Sequence, residues 1–219
     1  MLPKPYYHDE EYGITIYNAD CREILPYLPK VDLVLTDPPY GMSYTSNWAP
    51  SHLQKGGIVN DTEFPLWIFD SVEYDVGMFL FCRWDNLPNL PTPKSFIVWD
   101  KGVHSMGDLE HEFGRQWEGI AFYPGANHAF VTRPVDVIRA MRVSPTNMVH
   151  PTEKPMECLI PLIRSHPANT ILDPFMGSGT TLVAAKNLGR KCIGIEIEEK
   201  YCAIAVERLA QGNLFGGTQ

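Results

Sequence analysis

The stretch "TILDPFMGSGTTLVAAKNLGRKCIGIEI" (170–197) constrains the fold more than any other part of the chain. An apolar run, a glycine-rich turn, a helix-compatible segment and a second apolar run follow one another with nothing between them. The pattern predicts strands over "TILDPF" (170–175) and "KCIGIEI" (191–197), with a helix over "TLVAAKNLG" (181–189) joining them. Helical periods over 155–165 and 199–210 flank the unit. Upstream, "GITIYNAD" (13–20), the β-branched run "VDLVLT" (31–36), "GMFLFC" (77–82), "SFIVWD" (95–100) and "EGIAFYP" (118–124) read as strands. "CREILPYL" (21–28) places Ile24, Leu25 and Leu28 on one helical face. Strands alternating with helices make this an α/β chain with a doubly wound sheet, expected as a single domain over 1–219. Two stretches lack either period. Residues 41–62 read as a long flexible loop, and 102–150 as an insertion on one edge of the sheet.

Composition narrows the setting. The chain has 219 residues, 44% hydrophobic and 20% charged, as in a soluble globular protein able to bury a core. It holds no run of eighteen apolar residues, and its opening, "MLPKPYYHDEEYG", is too polar for a signal peptide. A cytoplasmic protein without membrane contact is expected. The five cysteines are scattered without CxxC spacing and read as reduced core thiols. His104, His111, His128 and His150 show no H-x-x-x-H spacing, so no metal site is expected. A net charge of −8 weighs against a nucleic-acid partner, yet Arg133, Arg139, Arg142 and Lys154 fall in a stretch poor in acids.

The glycine turn has the form of half a nucleotide site. Gly177 and Gly179 allow close approach of backbone to a ligand, and Thr180 can cap the helix that follows. Glu196 ends the next strand about twenty residues on, where α/β nucleotide sites place an acid for ribose hydroxyls. A third glycine for dinucleotides is missing, since position 182 is leucine, and no Gly-Lys-Ser/Thr of a P-loop is present. A ligand with ribose but no pyrophosphate fits, and S-adenosylmethionine is one. A plain strand-to-helix turn is the alternative.

The second motif is Asp37-Pro38-Pro39-Tyr40, which follows the strand 31–36. Two prolines cannot donate to a ladder, so the chain must leave the sheet on a rigid elbow that presents a carboxylate and a ring. Prolines that merely terminate a strand are the bland reading. "TDPPYG", "LDPFMGSGTT" and "HPTEKP" together resemble the amino-group DNA methyltransferases, in the β arrangement with the catalytic motif first. Residues 15–40 and 148–210 match the family well, and 41–147 loosely.

That resemblance implies a Rossmann-like fold and transfer of a methyl group from S-adenosylmethionine to an exocyclic base amine. Asp37 and the Pro38 carbonyl would accept the amine hydrogens, Pro39 would stiffen the turn and Tyr40 would stack on a flipped base. Asp20 would read the donor's adenine, with Cys21 and Asp173 beside it, although Asp20 also suits a turn cap. Thr152 and Lys154 would line the methionine end of the donor, or simply begin a helix at Pro155. Phe175 would pack on the donor, or in the core. Gly177, Gly179, Thr180 and Glu196 complete the expected donor site.

Double-stranded DNA is the implied partner. Tyr44, Trp48 and His52 could wedge or stack, and residues 102–150 are the expected target-recognition segment. Arg133, Arg139 and Arg142 could contact phosphates or guanine edges, or sit on a short surface helix, "VDVIRAMRV". The Asp-initiated motif is associated in the family with adenine N6, and the Ser-initiated one with cytosine N4. An RNA or protein amino methyltransferase and a silent scaffold are the rival readings. A prokaryotic or phage origin, a homodimer and a companion restriction nuclease are compatible with the resemblance, and the sequence is silent on all three.

Overall fold

A computed structural model of the chain describes residues 2–43, 59–103, 110–111, 113–144, 148 and 153–211. Tyr44, Trp48, His52, His104, His150 and Thr152 lie outside the described residues.

The strands are β1 (Tyr7–Asp9), β2 (Ile14–Asn18), β3 (Val31–Thr36), β4 (Tyr74–Cys82), β5 (Ser95–Asp100), β6 (Trp117–Pro124), β7 (Val137–Arg139), β8 (Thr170–Asp173) and β9 (Lys191–Glu196). The helices are α1 (Cys21–Ile24), α2 (Ile68–Ser71), α3 (Met156–Arg164), α4 (Thr180–Asn187) and α5 (Glu199–Ala210). All nine strands of the described residues join one sheet in the order β1-β2-β9-β8-β3-β4-β6-β5-β7. The run β2-β9-β8-β3-β4 is parallel, whereas β6 is antiparallel to both β4 and β5.

From β8 the chain winds outward through α4 to β9; from β3 it winds the opposite way to β4. The order therefore reverses between β3 and β8, which pair directly in parallel. Ligands of open α/β sheets bind beyond the carboxyl ends of the strands at such a reversal. β8 ends at Asp173, two residues before the end of the apolar run, because Pro174 cannot donate to a ladder, and α4 starts at Thr180.

Period-two alternation assigns each strand to two layers. Leu33, Leu35, Phe79 and Phe81 face the side covered by α3, α4 and α5. Val34, Met78, Leu80 and Ile195 face the side covered by α1, α2 and short 3-10 turns. The five cysteines are unpaired and buried: Cys158, Cys192 and Cys202 in the first layer, Cys21 and Cys82 in the second.

Two expectations change. The stretch 102–150 contains β6, which lies between β4 and β5 inside the sheet, so part of it is framework. "VDVIRAMRV" holds the edge strand β7 in place of a surface helix, because alternate burial of Ile138 and Ala140 pays off against β5.

The amino ends of β3 and β8 are pinned by one carboxylate. Asp32 Oδ2 accepts from Asn169 N at 2.8 Å, Thr170 N at 2.8 Å and Thr170 Oγ1 at 2.9 Å. Partial burial alone would raise its pKa, but these donors hold it below the usual carboxylate range. A depressed native pKa gives stability that is present above the ordinary carboxylate pKa and fades as pH falls through the native one. Asp32→Ala is expected to cost about 1.5–3 kcal/mol near neutral pH. Chemical denaturation should show the wild-type advantage shrinking below pH ~4.

Candidate active site

The elbow after β3 is held from outside itself. Asp61, buried, accepts from Gly41 N at 2.7 Å and Met42 N at 3.2 Å through one carboxylate oxygen. Asn86 donates to the Tyr40 carbonyl at 3.1 Å. Gly41 is left-handed, at φ +75°, and a Cβ there would meet the Phe64 nitrogen at 2.7 Å, so glycine is required on both counts.

Asp37 projects from this elbow with its side chain about one-fifth exposed. The Tyr40 hydroxyl donates to Asp37 Oδ1 at 2.6 Å, and the Lys154 ammonium pairs with Oδ2. The same hydroxyl and the same ammonium each lie 3.4 Å from Glu118 Oε2. Lys101, just beyond β5, pairs with Glu118 Oε1. Two carboxylates and two ammonium groups thus share one half-buried cluster. Lys154 also sits against aromatic faces, 5.2 Å from the Phe81 ring centre and 5.7 Å from that of Tyr40. Burial pushes the Asp37 carboxyl up, with Glu118 adding to the rise and Lys154 opposing it. Burial would raise Glu118 as well, but Lys154 and Lys101 hold it down to about 2.

The glycine turn after β8 stands beside the elbow. Thr36 Oγ1 donates to Asp173 Oδ1 at 3.2 Å, joining strand ends 137 residues apart in sequence. Glu196 closes the far side: its oxygens accept from Gly177 N at 3.1 Å and Glu198 N at 2.7 Å. Both bonds fix the carboxylate while leaving lone pairs for a hydroxyl-bearing ligand. Arg208 of α5 ties the turn down, donating to Ser178 O at 2.9 Å and Thr180 Oγ1 at 3.2 Å.

Elbow and turn line a single cavity of about 950 Å³. Asp20, Cys21, Asp37, Pro38, Pro39, Tyr40, Lys154, Asp173, Phe175, Gly177, Thr180 and Glu196 all reach it. Asp20 is at once the N-cap of α1, accepting from Arg22 N at 3.0 Å, and ion-paired with Arg22. The lining carries nine carboxylates, Asp20, Asp37, Asp61, Glu63, Glu118, Glu153, Asp173, Glu196 and Glu198, against five lysines and arginines. Such a pocket favours a cationic ligand.

The remaining expected residues are spread over the glycine turn and the sheet edge. Gly179 is not among the residues that line the cavity; at φ +81° an added Cβ there would meet the Ala205 Cβ of α5 at 2.7 Å, so packing also requires glycine. Thr180 is not the cap of α4, whose N-cap is the left-handed Gly179. Arg133, Arg139 and Arg142 are exposed and away from the cavity, and Arg139 lies 3.6 Å from Asp100 on the sheet edge. The cations and aromatics at the cavity mouth are instead Arg83, Trp84, Phe113, Arg115 and Trp117. Sequence reading named none of these five singly, nor Asp61, Lys101 or Glu118, although Asp61 falls in the loop 41–62 and Phe113, Arg115, Trp117 and Glu118 in the expected recognition segment 102–150. One signal was available for Glu118: a lone acid in "WEGIAFYP", a run otherwise apolar apart from its glycine.

Asp173 makes a pH-dependent contribution of its own. Burial pushes its carboxyl up to about 7, against hydrogen bonds from Thr181, Phe175 N and Thr36. A raised native pKa gives stability that is complete below the ordinary carboxylate pKa and lost as pH rises through about 7. Asp173→Asn should remove that decline, so melting temperatures of wild type and variant should diverge between pH 5 and 8, with the variant gaining at the alkaline end.

Comparison with known proteins agrees with this geometry. The family model for N6/N4 methyltransferases, described as DNA methylase, matches residues 91–207. The YubD protein of Escherichia coli (strain K12) is 30% identical over 215 residues, covering 88% of each chain. The type II methyltransferase M2.LlaDCHI of Lactococcus lactis subsp. cremoris is 27% identical over 266 residues, covering 99% of this chain and 96% of its own. Among solved structures, the complex of M1.HpyAVI with SAM superposes with a TM-score of 0.66 at 28% identity, covering 89% of this chain and 99% of that one. With more than half the chain inside the family model and its motif-bearing strand ends meeting at one cavity, the chain belongs to the N6/N4 family of DNA methyltransferases.

Proposed function

We propose that this chain transfers a methyl group from S-adenosylmethionine to the N6 amine of an adenine flipped out of duplex DNA. The observation that carries the reading is the meeting of the Asp37–Tyr40 elbow and the Gly177–Glu196 pair at opposite sides of one acidic cavity.

The residues present suit such a donor. Glu196 offers fixed acceptors for ribose hydroxyls, and Phe175 adds an aromatic surface, its ring centre 6.1 Å from that of Trp67. Asp20 lies at the same end, with Arg22 already engaged on it. The excess of carboxylates suits a sulfonium. Bound there, S-adenosylmethionine would supply an electrophilic methyl, and Asp37 would take the surplus proton of the amine.

The elbow makes the amine a better nucleophile. Its lone pair is conjugated with the purine, and acceptors on both N–H bonds favour a tetrahedral nitrogen with the pair free to attack in line. Asp37 and the Pro38 carbonyl are those acceptors, and the proline rings keep their directions fixed. Tyr40 supplies the stacking face, since a base must leave the duplex before its amine can be reached. An acid at the head of the motif favours adenine N6 over cytosine N4, by the family association. Arg83 and Arg115 meet phosphates while Trp84, Phe113 and Trp117 stack or wedge at the mouth. A net charge of −8 does not preclude a DNA partner here, because Arg83 and Arg115 also line the cavity among its acids. The type II relative supports a restriction–modification setting.

Incubation with labelled donor and, separately, duplex DNA, RNA or protein, followed by nucleoside analysis, tests the reading. N6-methyladenine in the DNA arm is expected; label in protein alone sinks it, and N4-methylcytosine corrects the base. Asp37→Ala should keep donor affinity by calorimetry and lose about 10²-fold or more in methyl transfer. Glu196→Ala should weaken donor binding by about 1.5–3 kcal/mol, and an unchanged affinity means that the donor lies elsewhere.

A further inference from the structure

The reaction proposed above needs both Asp37 and its surroundings to be available to an amine, yet both oxygens of Asp37 already have donors. Tyr40 Oη holds Oδ1 at 2.6 Å and the Lys154 ammonium holds Oδ2. Those two donors have one further acceptor in common. Glu118 Oε2 lies 3.4 Å from each of them, while Glu118 Oε1 is fixed from the other side by Lys101.

We propose that Glu118 is a positioning residue: when a base amine engages Asp37, Lys154 and Tyr40 shift their hydrogen bonds onto Glu118 Oε2. The inference rests on the methyltransferase reading of the same site and adds to it a residue that neither motif contains.

Geometry and charge support it together. Each donor needs to shorten a 3.4 Å separation by roughly half an ångström to make an ordinary hydrogen bond, a side-chain adjustment rather than a change of fold. Glu118 sits in β6, locked between β4 and β5, so the receiving oxygen is held by the sheet and by Lys101. The cluster stays electrically balanced throughout, because Lys154 moves from one carboxylate to another and never faces the interior alone. Lys154 is buried among aromatic rings, where an unbalanced ammonium would be costly. Without Glu118, Lys154 would have Asp37 as its acceptor in this cluster and would compete with the amine for it.

Glu118→Gln keeps the shape and removes the charge. Methyl transfer to duplex DNA by wild type and variant, measured across pH, should show kcat lower by about ten- to a hundredfold in the variant. Donor affinity by calorimetry should stay within about twofold, because Glu118 is not part of the proposed donor end. Removing a negative neighbour lowers the pKa of Asp37, so the acid limb of kcat/KM should move to lower pH. Glu118→Asp, which restores charge but not reach, should recover the acid limb more fully than kcat. An unchanged kcat and pH profile overturns the inference, as does a fall in activity matched by equal losses in donor affinity and melting temperature. Carboxyl ¹³C NMR of Asp37 in wild type and Glu118→Gln reads the same coupling without substrate, and an unshifted titration also overturns it. A wild type that binds donor yet methylates no DNA, while its Asp37 titration shifts in the variant, retires the functional reading and leaves the coupling of Glu118 to Asp37 standing.

Discussion

Everything at the site depends on the parallel pairing of β3 with β8. The two strands come from opposite halves of the chain, and each carries one motif on its carboxyl end. Hydrogen-bonded neighbours in a sheet lie about 4.8 Å apart, so once these two pair, elbow and glycine turn have no choice but to share a cavity. The pairing is clamped at one end by Asp32 on Thr170 and at the other by Thr36 on Asp173. Side-chain bonds of this kind fix register, and register decides which residues face the crevice.

A second constraint is electrostatic. Asp37, Glu118, Lys101 and Lys154 form a charged cluster where apolar packing of similar volume would be at least as stabilising. In the arrangement proposed above, such a cluster contributes less to holding the fold than to controlling which oxygen carries a free lone pair. Its members come from the ends of β3 and β5, from β6 and from the segment before α3, so the sheet sets their spacing. Glu196 nearby has a different character: its oxygens accept from the backbone N–H groups of Gly177 and Glu198, which fix the carboxylate without neutralising it.

How much of this could be read from the sequence followed the range of the interactions involved. The βαβ unit over 170–197, the strand 31–36 and the two motifs are local, carried by contiguous apolar periods, glycines and prolines, and they lie where the periods place them. Gly179 shows the limit of that reading. A glycine beside a ligand turn and a glycine beside a helix look alike in sequence, and only the packing of α5 separates them. Glu118 and Asp61 were hard to assign to the elbow for a related reason: each reaches it from far along the chain, Asp61 from twenty residues away and Glu118 from seventy-eight. For the arginines of "VDVIRAMRV" the sequence shows charge but not direction: Arg139 ends β7 at the sheet edge, 3.6 Å from Asp100.

The distribution of the thiols has a practical consequence. Cys158, Cys192 and Cys202 lie in one layer beneath the sheet, and Cys21 and Cys82 in the other, all buried and unpaired. Cys21 borders the cavity, but a maleimide or disulfide reagent reaches each of the other four sulfurs only when its own layer opens. The labelling rate of Cys82 relative to those of Cys158, Cys192 and Cys202 forms a built-in clock that tells breathing on the side of the short helices from breathing on the side of the long ones, without introducing a single foreign residue.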